Sequence, residues 1–451
     1  MKKNKYEIDM CNGSIMDKLI SFALPLMLSG ILQLMFNAVD LVVVGHFSGQ
    51  EALAAVGSTT ALIAVFTNLF IGISLGANVL AARFYAAGRE KEMSETVHTS
   101  IMLALISGVA MAIVGVIFAK GALQLMDTPD NVIDLSTLYM RIYFMGMPFF
   151  MLYNYGAAIL RAVGDTKRPL LFLIVSGVSN AILNMILVIV FNLGVAGVAI
   201  GTVMSQLMSC VLVLRCLCKT QSSYQLHLDR LAIKGDYVKL IFQVGIPAGI
   251  QSTVINFSNV LLQSSVNSFG ATAMAGYTAA NNLLGFLYVS VNAVTQACMS
   301  FTSQNYGVGK YKRMDRVLLD CLGLTVVVAG VLGGGVYLFG PQILRIYTSE
   351  ADVISCGMEI LSITTIPYFL CGIMDLFPGS LRGMGYSAVP MVLSVIGTVG
   401  TRILWIYGFF PHNRTLFFLF ISYPGSWLIT IVMQVICYLY VRKRCVGAQK
   451  V

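Results

Sequence analysis

The segment Leu160–Pro169, LRAVGDTKRP, decides the fold because it returns as LRGMGYSAVP at Leu381–Pro390. The doubling extends outward from this segment in both directions. Further matched positions are Pro25 and Pro247, Asn37 and Asn259, Phe47 and Phe269, Tyr85 and Tyr306, and Gly88 and Gly309. Duplicated helical membrane proteins commonly hold a substrate between the two copies, near the bilayer midplane. The repeat therefore favours transport over other functions.

The composition requires lipid as the solvent for most of the chain. Of its 451 residues, 57% are hydrophobic and only 11% are charged, whereas soluble domains carry about 25% charged residues. Apolar stretches long enough to cross the hydrocarbon core recur along the whole sequence. We predict an all-α integral membrane protein with twelve transmembrane helices in two six-helix pseudo-symmetric bundles. The helices are predicted at roughly 19–45, 52–79, 97–119, 136–160, 169–191, 194–216, 238–267, 272–302, 316–340, 354–380, 389–410 and 415–440.

The two copies define the predicted domains. Residues 1–217 form an N-lobe with helices 1–6, residues 218–239 form a cytoplasmic linker, and residues 240–451 form a C-lobe with helices 7–12. Because each copy has an even number of helices, both copies enter the membrane from the same side. They are therefore parallel repeats, related by an axis along the membrane normal.

The net charge of +9 is explained by topology. Most lysines and arginines fall in loops on one side of the predicted helices, and the loops on the other side hold only Lys120, Arg345 and Arg414. The side rich in positive charge is the cytoplasmic one. We therefore expect a multi-pass protein of the cell membrane with both termini cytoplasmic. The excess positive charge faces anionic lipid, and we expect no nucleic-acid partner.

Signals of enzymatic chemistry are missing from the sequence. It contains no P-loop, nucleophile elbow, HExxH or dinucleotide-binding loop, and its ten cysteines form no CxxC pair. The four histidines lie near predicted loops or helix ends, which disfavours an integral-membrane enzyme with a convergent catalytic cluster. We expect a protein that is not an enzyme and that needs no cofactor apart from a coupling ion, H⁺ or Na⁺.

Asp40 is the sharpest candidate for a functional residue. A charged side chain inside a transmembrane helix costs free energy, so an acidic residue there is expected to have a function. Gln33, Asn37 and Asp40 lie at positions i, i+4 and i+7, on one face of the first helix. A dry, unpaired carboxylate can exchange a proton near neutral pH, and it can equally join other oxygen atoms around Na⁺. The alternative is a structural hydrogen-bond node between helices.

The rest of the first half offers partners for Asp40. Asn180 and Asn184 lie at i and i+4 in the fifth helix, Thr202 lies in the sixth, and Tyr139 and Asn154 lie in the fourth. Each alone would be interhelical hydrogen bonding worth about 0.6 kcal/mol. Together with Asp40 they form a candidate ion-coupling site.

The second half has diverged from the first. Leu262 stands where Asp40 stands in the first half. Asp375 is a deep acid of the tenth helix that could be a second coupling group or could pair with Arg402. The candidate substrate-binding residues of this half are Asn259, Asn281, Asn282, Gln296 and Asp375. Pro25 and Pro247 interrupt the first helix of each copy, and their recurrence predicts a hinge, with a tolerated kink as the alternative.

These residues resemble the MATE (multidrug and toxic compound extrusion) family over essentially the whole chain. The marks are Pro25 with Gln33 and Asp40, the Leu160–Pro169 segment and its echo, and the cytoplasmic turns around Tyr85 and Tyr306. The resemblance implies a secondary-active multidrug efflux antiporter that exports organic cations in exchange for H⁺ or Na⁺. It also implies an ion site in the N-lobe, comprising Asp40, Asn180, Asn184, Thr202, Gln33, Tyr139 and Asn154.

The sequence departs from the family pattern at one important position. Many relatives with this N-lobe site carry a second acid where Asn184 stands, so the choice of ion stays open. Other relatives carry essential acids in the seventh and tenth helices. The seventh-helix acid is absent here and Asp375 does not clearly align with the other, which favours the N-lobe type.

Two other transport functions are less favoured by the sequence. A flippase for lipid-linked saccharides of the same superfold would need basic residues in its cavity, and only Arg402 and Arg141 qualify. A channel is disfavoured by the twofold repeat, which suits alternating access. The expected partners are small-molecule cationic substrates and the lipid bilayer, and we expect a monomer.

Overall fold

The computed structural model describes residues 6–126 and 128–447, and within them the chain is all-α with no strand. In this part of the chain ten helices are long and apolar enough to cross a membrane, and one bent helix pair adds an eleventh. The remaining predicted span is present as two consecutive helices, Asp130–Met145 and Met147–Ala162. The predicted fold class is confirmed.

The first half of the chain contains six helical segments, α1 to α6. They are α1 Met16–Phe47, α2 Gln50–Ala86, α3 Glu90–Leu125, α4 with its two helices Asp130–Met145 and Met147–Ala162, α5 Lys167–Val190 and α6 Gly194–Lys219. The second half contains α7 to α12. They are α7 Gly235–Asn267, α8 Ala271–Gly307, α9 Tyr311–Leu338, α10 with its two helices Ala351–Thr365 and Tyr368–Gly383, α11 Ala388–His412, and α12 with Leu416–Phe420 and Ser422–Gly447.

Several helices extend beyond the predicted apolar ranges. Helix α2 was predicted to end near residue 79 but continues to Ala86, and α3 was predicted to begin near residue 97 but begins at Glu90. The added turns are polar, and hydropathy detects only the apolar part of a helix. Helices therefore continue out of the hydrocarbon region into the connecting turns.

The fourth segment of each half is broken at a comparable place. Helix α4 is interrupted at Gly146, just before Pro148, and the two parts of α10 are bent by 47° at Ile366 and Pro367. Proline lacks the N–H that an uninterrupted helix would use, so a break at its first turn is favoured. Both halves share this feature.

The repeat is also present in the backbone geometry. Three pairs of matched glycines have positive φ angles: Gly49 and Gly270 at 88° and 93°, Gly88 and Gly309 at 67° and 71°, and Gly164 and Gly385 at 93° and 92°. Glycine adopts this region without steric cost. The turns that connect the helices are therefore built alike in the two copies.

Two compact units divide the described chain. One comprises residues 6–9 and 28–249, and the other comprises residues 10–27 and 250–447. Helix α1 is thus divided after Met27 and helix α7 after Gly249. The predicted lobes 1–217 and 240–451 follow the sequence repeat and stay a prediction. The compact units differ from them at two helices: the first part of α1 belongs to the second unit, and the first part of α7 belongs to the first unit.

Glycines bring α2 and the first part of α7 into direct backbone contact within the first unit. A Cβ atom on Gly72 would lie 2.3 Å from Gly249 Cα, and one on Gly76 would lie 2.1 Å from Ile241 O. Small residues permit this close approach of membrane helices. Gly72 and Gly76 are therefore helix-packing residues.

The repeated Leu160–Pro169 segment positions α5. The buried Asp165 carboxylate accepts the backbone N–H of Arg168 at 3.1 Å and pairs with the Arg168 guanidinium. Arg168 Nη1 also reaches Cys216 Sγ of α6 at 3.0 Å. Tyr224 OH, 3.4 Å from Arg168 Nη2, donates to Glu7 at 2.8 Å. These contacts hold the start of α5 against the end of α6.

Candidate ion-coupling site and its counterpart in the second half

Asp40 and Asn184 join α1 to α5. Asn184 Nδ2 donates to Asp40 Oδ1 at 2.6 Å, and the Asn184 side chain is fully buried, whereas Asp40 is half-buried. Across residues 6–126 and 128–447, no lysine or arginine lies within ion-pair distance of this carboxylate. Asp40 is therefore an acid whose polar partners are neutral groups.

The hydrogen bonds continue from Asn184 to the sixth helix. Asn184 Nδ2 is also 3.4 Å from Asn180 Oδ1, and Asn180 Nδ2 donates to Thr202 Oγ1 at 3.4 Å. The Thr202 hydroxyl in turn donates to Val198 O at 2.9 Å and lies close to the Asp40 carboxylate. The structure thus brings together four of the predicted ion-coupling residues on three helices.

The Asn184 side chain packs directly against the backbone of α6 at Gly201. A Cβ atom on Gly201 would lie 2.0 Å from Asn184 Oδ1, so a larger residue there would displace this side chain. Helix α5 changes to a π-helical turn, Ile186–Val190, two residues after Asn184. Such turns are frequent at functional sites. The asparagine pair was predictable from its spacing, whereas the π-helical turn was not.

An unsatisfied oxygen makes this group suitable for a hard cation. Asn184 Oδ1 is buried and has no hydrogen-bond partner in the described part of the chain. Buried polar atoms are normally satisfied, so each exception needs an explanation. With the Asp40 carboxylate, Asn180 Oδ1 and the Thr202 hydroxyl, it supplies only oxygen donors. Because Asn184 Nδ2 now faces Asp40, the Asn184 amide would have to rotate before this donor set fits Na⁺, whereas the lone carboxylate fits a proton without that rotation.

Two tyrosines of α4 lie near the acid. Tyr139 is 7% exposed, and its ring stacks on Tyr143 with centroids 6.0 Å apart. Both phenol groups lie within electrostatic range of Asp40. Tyr139 was predicted for this site. Tyr143 was missed, although its position four residues after Tyr139 puts it on the same helix face.

Three other predicted ion-coupling residues do not join this hydrogen-bonded group. Gln33 and Asn37 have exposed side chains on α1. Asn154 Nδ2 donates to Phe150 O of its own helix at 2.8 Å. Their predicted roles stay predictions, with no contact to Asp40 among the hydrogen bonds of the described residues.

In the second half, the contact between the first and fifth helices involves a base. Arg402 of α11 is 3% exposed, and its Nη1 donates to Asn259 Oδ1 of α7 at 2.9 Å. Its Nε donates to Ser426 Oγ at 3.4 Å, and its guanidinium carbon lies 4.2 Å from the Tyr423 ring centroid. Of the predicted substrate-binding residues, Asn259 is the one that touches Arg402.

Asp375 does not pair with Arg402, so that alternative is wrong. Its electrostatic partner is Arg382, seven residues later, whose Nη2 donates to Gln251 Oε1 at 2.7 Å. The spacing of Asp375 and Arg382 places them two turns apart on one helix, which favours this nearer partner. A substrate or coupling role for Asp375 stays a prediction.

The other predicted substrate-binding residues are dispersed along α8. Asn281 and Asn282 are exposed. Gln296 Nε2 donates to Asn292 Oδ1 of the same helix at 2.9 Å. The structure therefore does not gather these three with Asn259, and their roles stay predictions.

Pro25 and Pro247 lie inside the continuous helices α1 and α7. Each proline precedes, by two residues, the point where its helix passes from one compact unit to the other, after Met27 and after Gly249. Proline removes a helix hydrogen bond and lowers the resistance to bending at its own position. The predicted hinge role is compatible with this placement and stays a prediction.

Comparison with known proteins defines the class. The MatE family model matches the chain twice, over residues 25–186 and 247–407, so each half carries one copy. The chain belongs to the MATE family, a family of membrane transporters, not of enzymes.

The chain is similar along nearly its full length to bacterial relatives. It is 29% identical to the probable multidrug resistance protein YoeA of Bacillus subtilis, over 94% of this chain and 93% of that protein. It is 26% identical to the probable multidrug resistance protein NorM of Thermotoga maritima, over 86% of this chain and 84% of that protein.

Solved structures share the fold. An outward-facing multidrug resistance MATE family transporter superposes with a TM-score of 0.89 at 21% identity, covering 100% of both chains. A MATE structure described as bent gives a TM-score of 0.88 at 20% identity over 98% of both chains. One described as straight gives 0.89 at 21% over 100% of both.

Proposed function

We propose that this protein is a secondary-active multidrug efflux antiporter that exports organic cations in exchange for H⁺ or Na⁺. The observation that carries the proposal is the 2.6 Å contact between Asp40 and Asn184, an acid held by neutral groups inside a membrane helix. Intramembrane acids in such settings mark ion pathways. The names of the relatives, among them the multidrug export protein MepA of Staphylococcus aureus, support multidrug export.

Ion binding at Asp40 would change the contact between α1 and α5. The ionised carboxylate accepts a hydrogen bond from Asn184 Nδ2. A protonated carboxyl group becomes a donor, and rotation of the Asn184 amide would offer Oδ1 as its acceptor. Na⁺ would instead take the Asp40 carboxylate, Asn184 Oδ1, Asn180 Oδ1 and the Thr202 hydroxyl as ligands. Either ion therefore reorganises the same four residues.

Bending at Pro25 and Pro247 would convert this local change into alternating access. The division of α1 and α7 between the compact units just after each proline supports this role. Solved structures of the same fold described as bent and straight also support a fold with two shapes. Ion occupancy at Asp40 would bias the chain toward one of them, since an ion shifts the equilibrium only through differential binding.

The proposed activity takes place in the cell membrane. The protein works as a monomer in the cell membrane with both termini cytoplasmic, as the distribution of lysine and arginine favours. It uses no cofactor beyond the coupling ion and binds no nucleic acid. None of the relatives named above is described as a flippase for lipid-linked saccharides, so that alternative gains no support.

Efflux from proteoliposomes tests the proposal. Ethidium export is measured with the pH gradient and the Na⁺ gradient imposed separately. We expect one of the two gradients to drive export, and Asp40→Asn to abolish it. Asp134→Asn is the matched control, because Asp134 is exposed and pairs only with Lys120 at the surface. Export by Asp40→Asn at the wild-type rate would refute the role of Asp40.

A further inference from the structure

We propose that Arg402 forms an oxyanion-binding site in the second half of the chain, which takes the carboxylate or phosphate group of an organic compound. The site goes beyond cation export. It does not rest on the role of Asp40.

Arg402 lacks a counter-charge within the part of the chain that the structure describes. Arg402 is 3% exposed, yet its polar contacts, Asn259, Ser426 and the Tyr423 ring, are all neutral. Across residues 6–126 and 128–447, no carboxylate lies within 4.0 Å of its guanidinium. A buried charge without a counter-charge is expensive. A bound anion would supply the missing negative charge.

Other arginines of the chain show the usual solution. Arg442 donates to both oxygens of Asp315 at 2.7 and 2.8 Å, and Arg168 pairs with Asp165. Both are less buried than Arg402, and both have an acid. Arg402 therefore differs from these two arginines, because it is more buried than either and, among the described residues, lacks the acid that each of them has.

The geometry of the guanidinium also favours an anion. Nη1 is held by Asn259 and Nε by Ser426, while Tyr423 covers one face of the plane. Nη2 has no hydrogen-bond partner within the described residues. A guanidinium presents parallel N–H groups that match the two oxygens of a carboxylate or phosphate. The fixed plane with a free edge is therefore prepared for an oxyanion.

The backbone around Arg402 departs from regular α-helix. Arg402 lies in the short α-helical turn Thr401–Leu404, between the π-helical segments Val395–Gly400 and Trp405–Phe409. π-helical turns are frequent at functional sites. Asn259 and Tyr423, which contact the guanidinium, are themselves only half-buried.

Tryptophan fluorescence tests the site directly, because the chain has only two tryptophans. Trp405 lies one helical turn after Arg402, and the Trp427 ring centroid is 5.7 Å from that of Tyr423. The full chain in phosphatidylcholine nanodiscs is titrated with benzoate, phenyl phosphate and the neutral benzamide. We expect a saturable change with the two anions and none with benzamide. Arg402→Gln should weaken anion binding at least tenfold.

A second variant decides the question if Arg402→Gln does not fold. Asn259→Asp places a carboxylate beside the guanidinium, so the chain would supply its own counter-charge and anion binding should fall at least tenfold. Asn256→Asp makes the same charge change at an exposed position one turn earlier on α7 and should leave binding unchanged. Wild-type anion binding by Asn259→Asp, or an equal response to benzamide, would overturn the proposal.

Two further measurements extend the experiment. One identifies the source of the anion, and the other distinguishes this proposal from the ion-coupling proposal. Phosphatidylglycerol in the nanodiscs will suppress the benzoate response if the natural ligand is the headgroup of an anionic lipid, and will leave it intact if the ligand is a solute. Both results support an oxyanion site and assign its source. Asp40→Asn must retain anion binding, so a failure of the coupling proposal does not affect this one.

Discussion

In each half of the molecule the first helix contacts the fifth through polar side chains, but the charged member is an acid in the first half and a base in the second. In the first half, α1 and α5 meet through the acid Asp40 and the amide Asn184. In the second half, α7 and α11 meet through the amide Asn259 and the base Arg402. Both fifth helices carry π-helical turns near this contact. Because Asn259 matches Asn37 and Leu262 matches Asp40 in the repeat, the two copies use different positions for the contact, and we expect the opposite charges to favour different classes of ligand.

The largest expected effect comes from forcing the second half to resemble the first. Leu262 matches Asp40 in the repeat but is fully buried in an apolar cluster. An aspartate at the centre of a membrane helix costs about 2.5–3.5 kcal/mol. Leu262→Asp should therefore lower the unfolding temperature measured by tryptophan fluorescence. Ser264→Asp, at an exposed position of α7, is the control. Equal unfolding temperatures for the two variants would show that the second half tolerates an acid there.

A smaller effect is expected from removing the amide that holds Asp40. A hydrogen bond to a charged group contributes about 1.5–3 kcal/mol. Asn184→Leu should therefore reduce ion-driven ethidium efflux at least tenfold in proteoliposomes. Asn131→Leu, at an exposed position of α4, should not reduce it. Efflux by Asn184→Leu at the wild-type rate would mean that Asp40 works without this contact.

The smallest effect is expected at Thr202, the sixth-helix member of the same hydrogen-bonded group. Thr202 accepts from Asn180 at 3.4 Å, a long bond, and interhelical hydrogen bonds in membranes average about 0.6 kcal/mol. Thr202→Val should slow ion-driven efflux roughly threefold. Thr60→Val removes a hydroxyl that bonds only within its own helix and serves as the control. A complete loss of efflux in Thr202→Val would instead show that Thr202 is a required ion ligand.

Much of the fold was predictable because its signals are local. Apolar stretches predict spans, and the repeated Leu160–Pro169 segment predicts two copies, which the double match of the MatE model confirms. The polar ends of α2 and α3 were not predictable from hydropathy, since they lie outside the apolar ranges.

The candidate site was predictable only where helix spacing decides it. Asn180 and Asn184 lie one turn apart, and Asp40 is an acid in an apolar helix. These two patterns were enough to predict that the three residues form one site. The contact between Arg402 and Asn259 joins residues far apart in sequence, and no local pattern specifies it. The sequence suggested Asp375 as a partner for Arg402, but the electrostatic partner of Asp375 is Arg382, two turns later on the same helix.

The most direct test of ion coupling is a binding measurement without any gradient. Ethidium affinity of the purified protein is measured as the H⁺ concentration or the Na⁺ concentration is raised. Exchange of the ion for the substrate requires reciprocal linkage, so one ion must weaken ethidium binding in the wild type. In Asp40→Asn, ethidium affinity should be independent of that ion. An affinity that depends equally on the ion in both proteins would contradict the coupling role of Asp40.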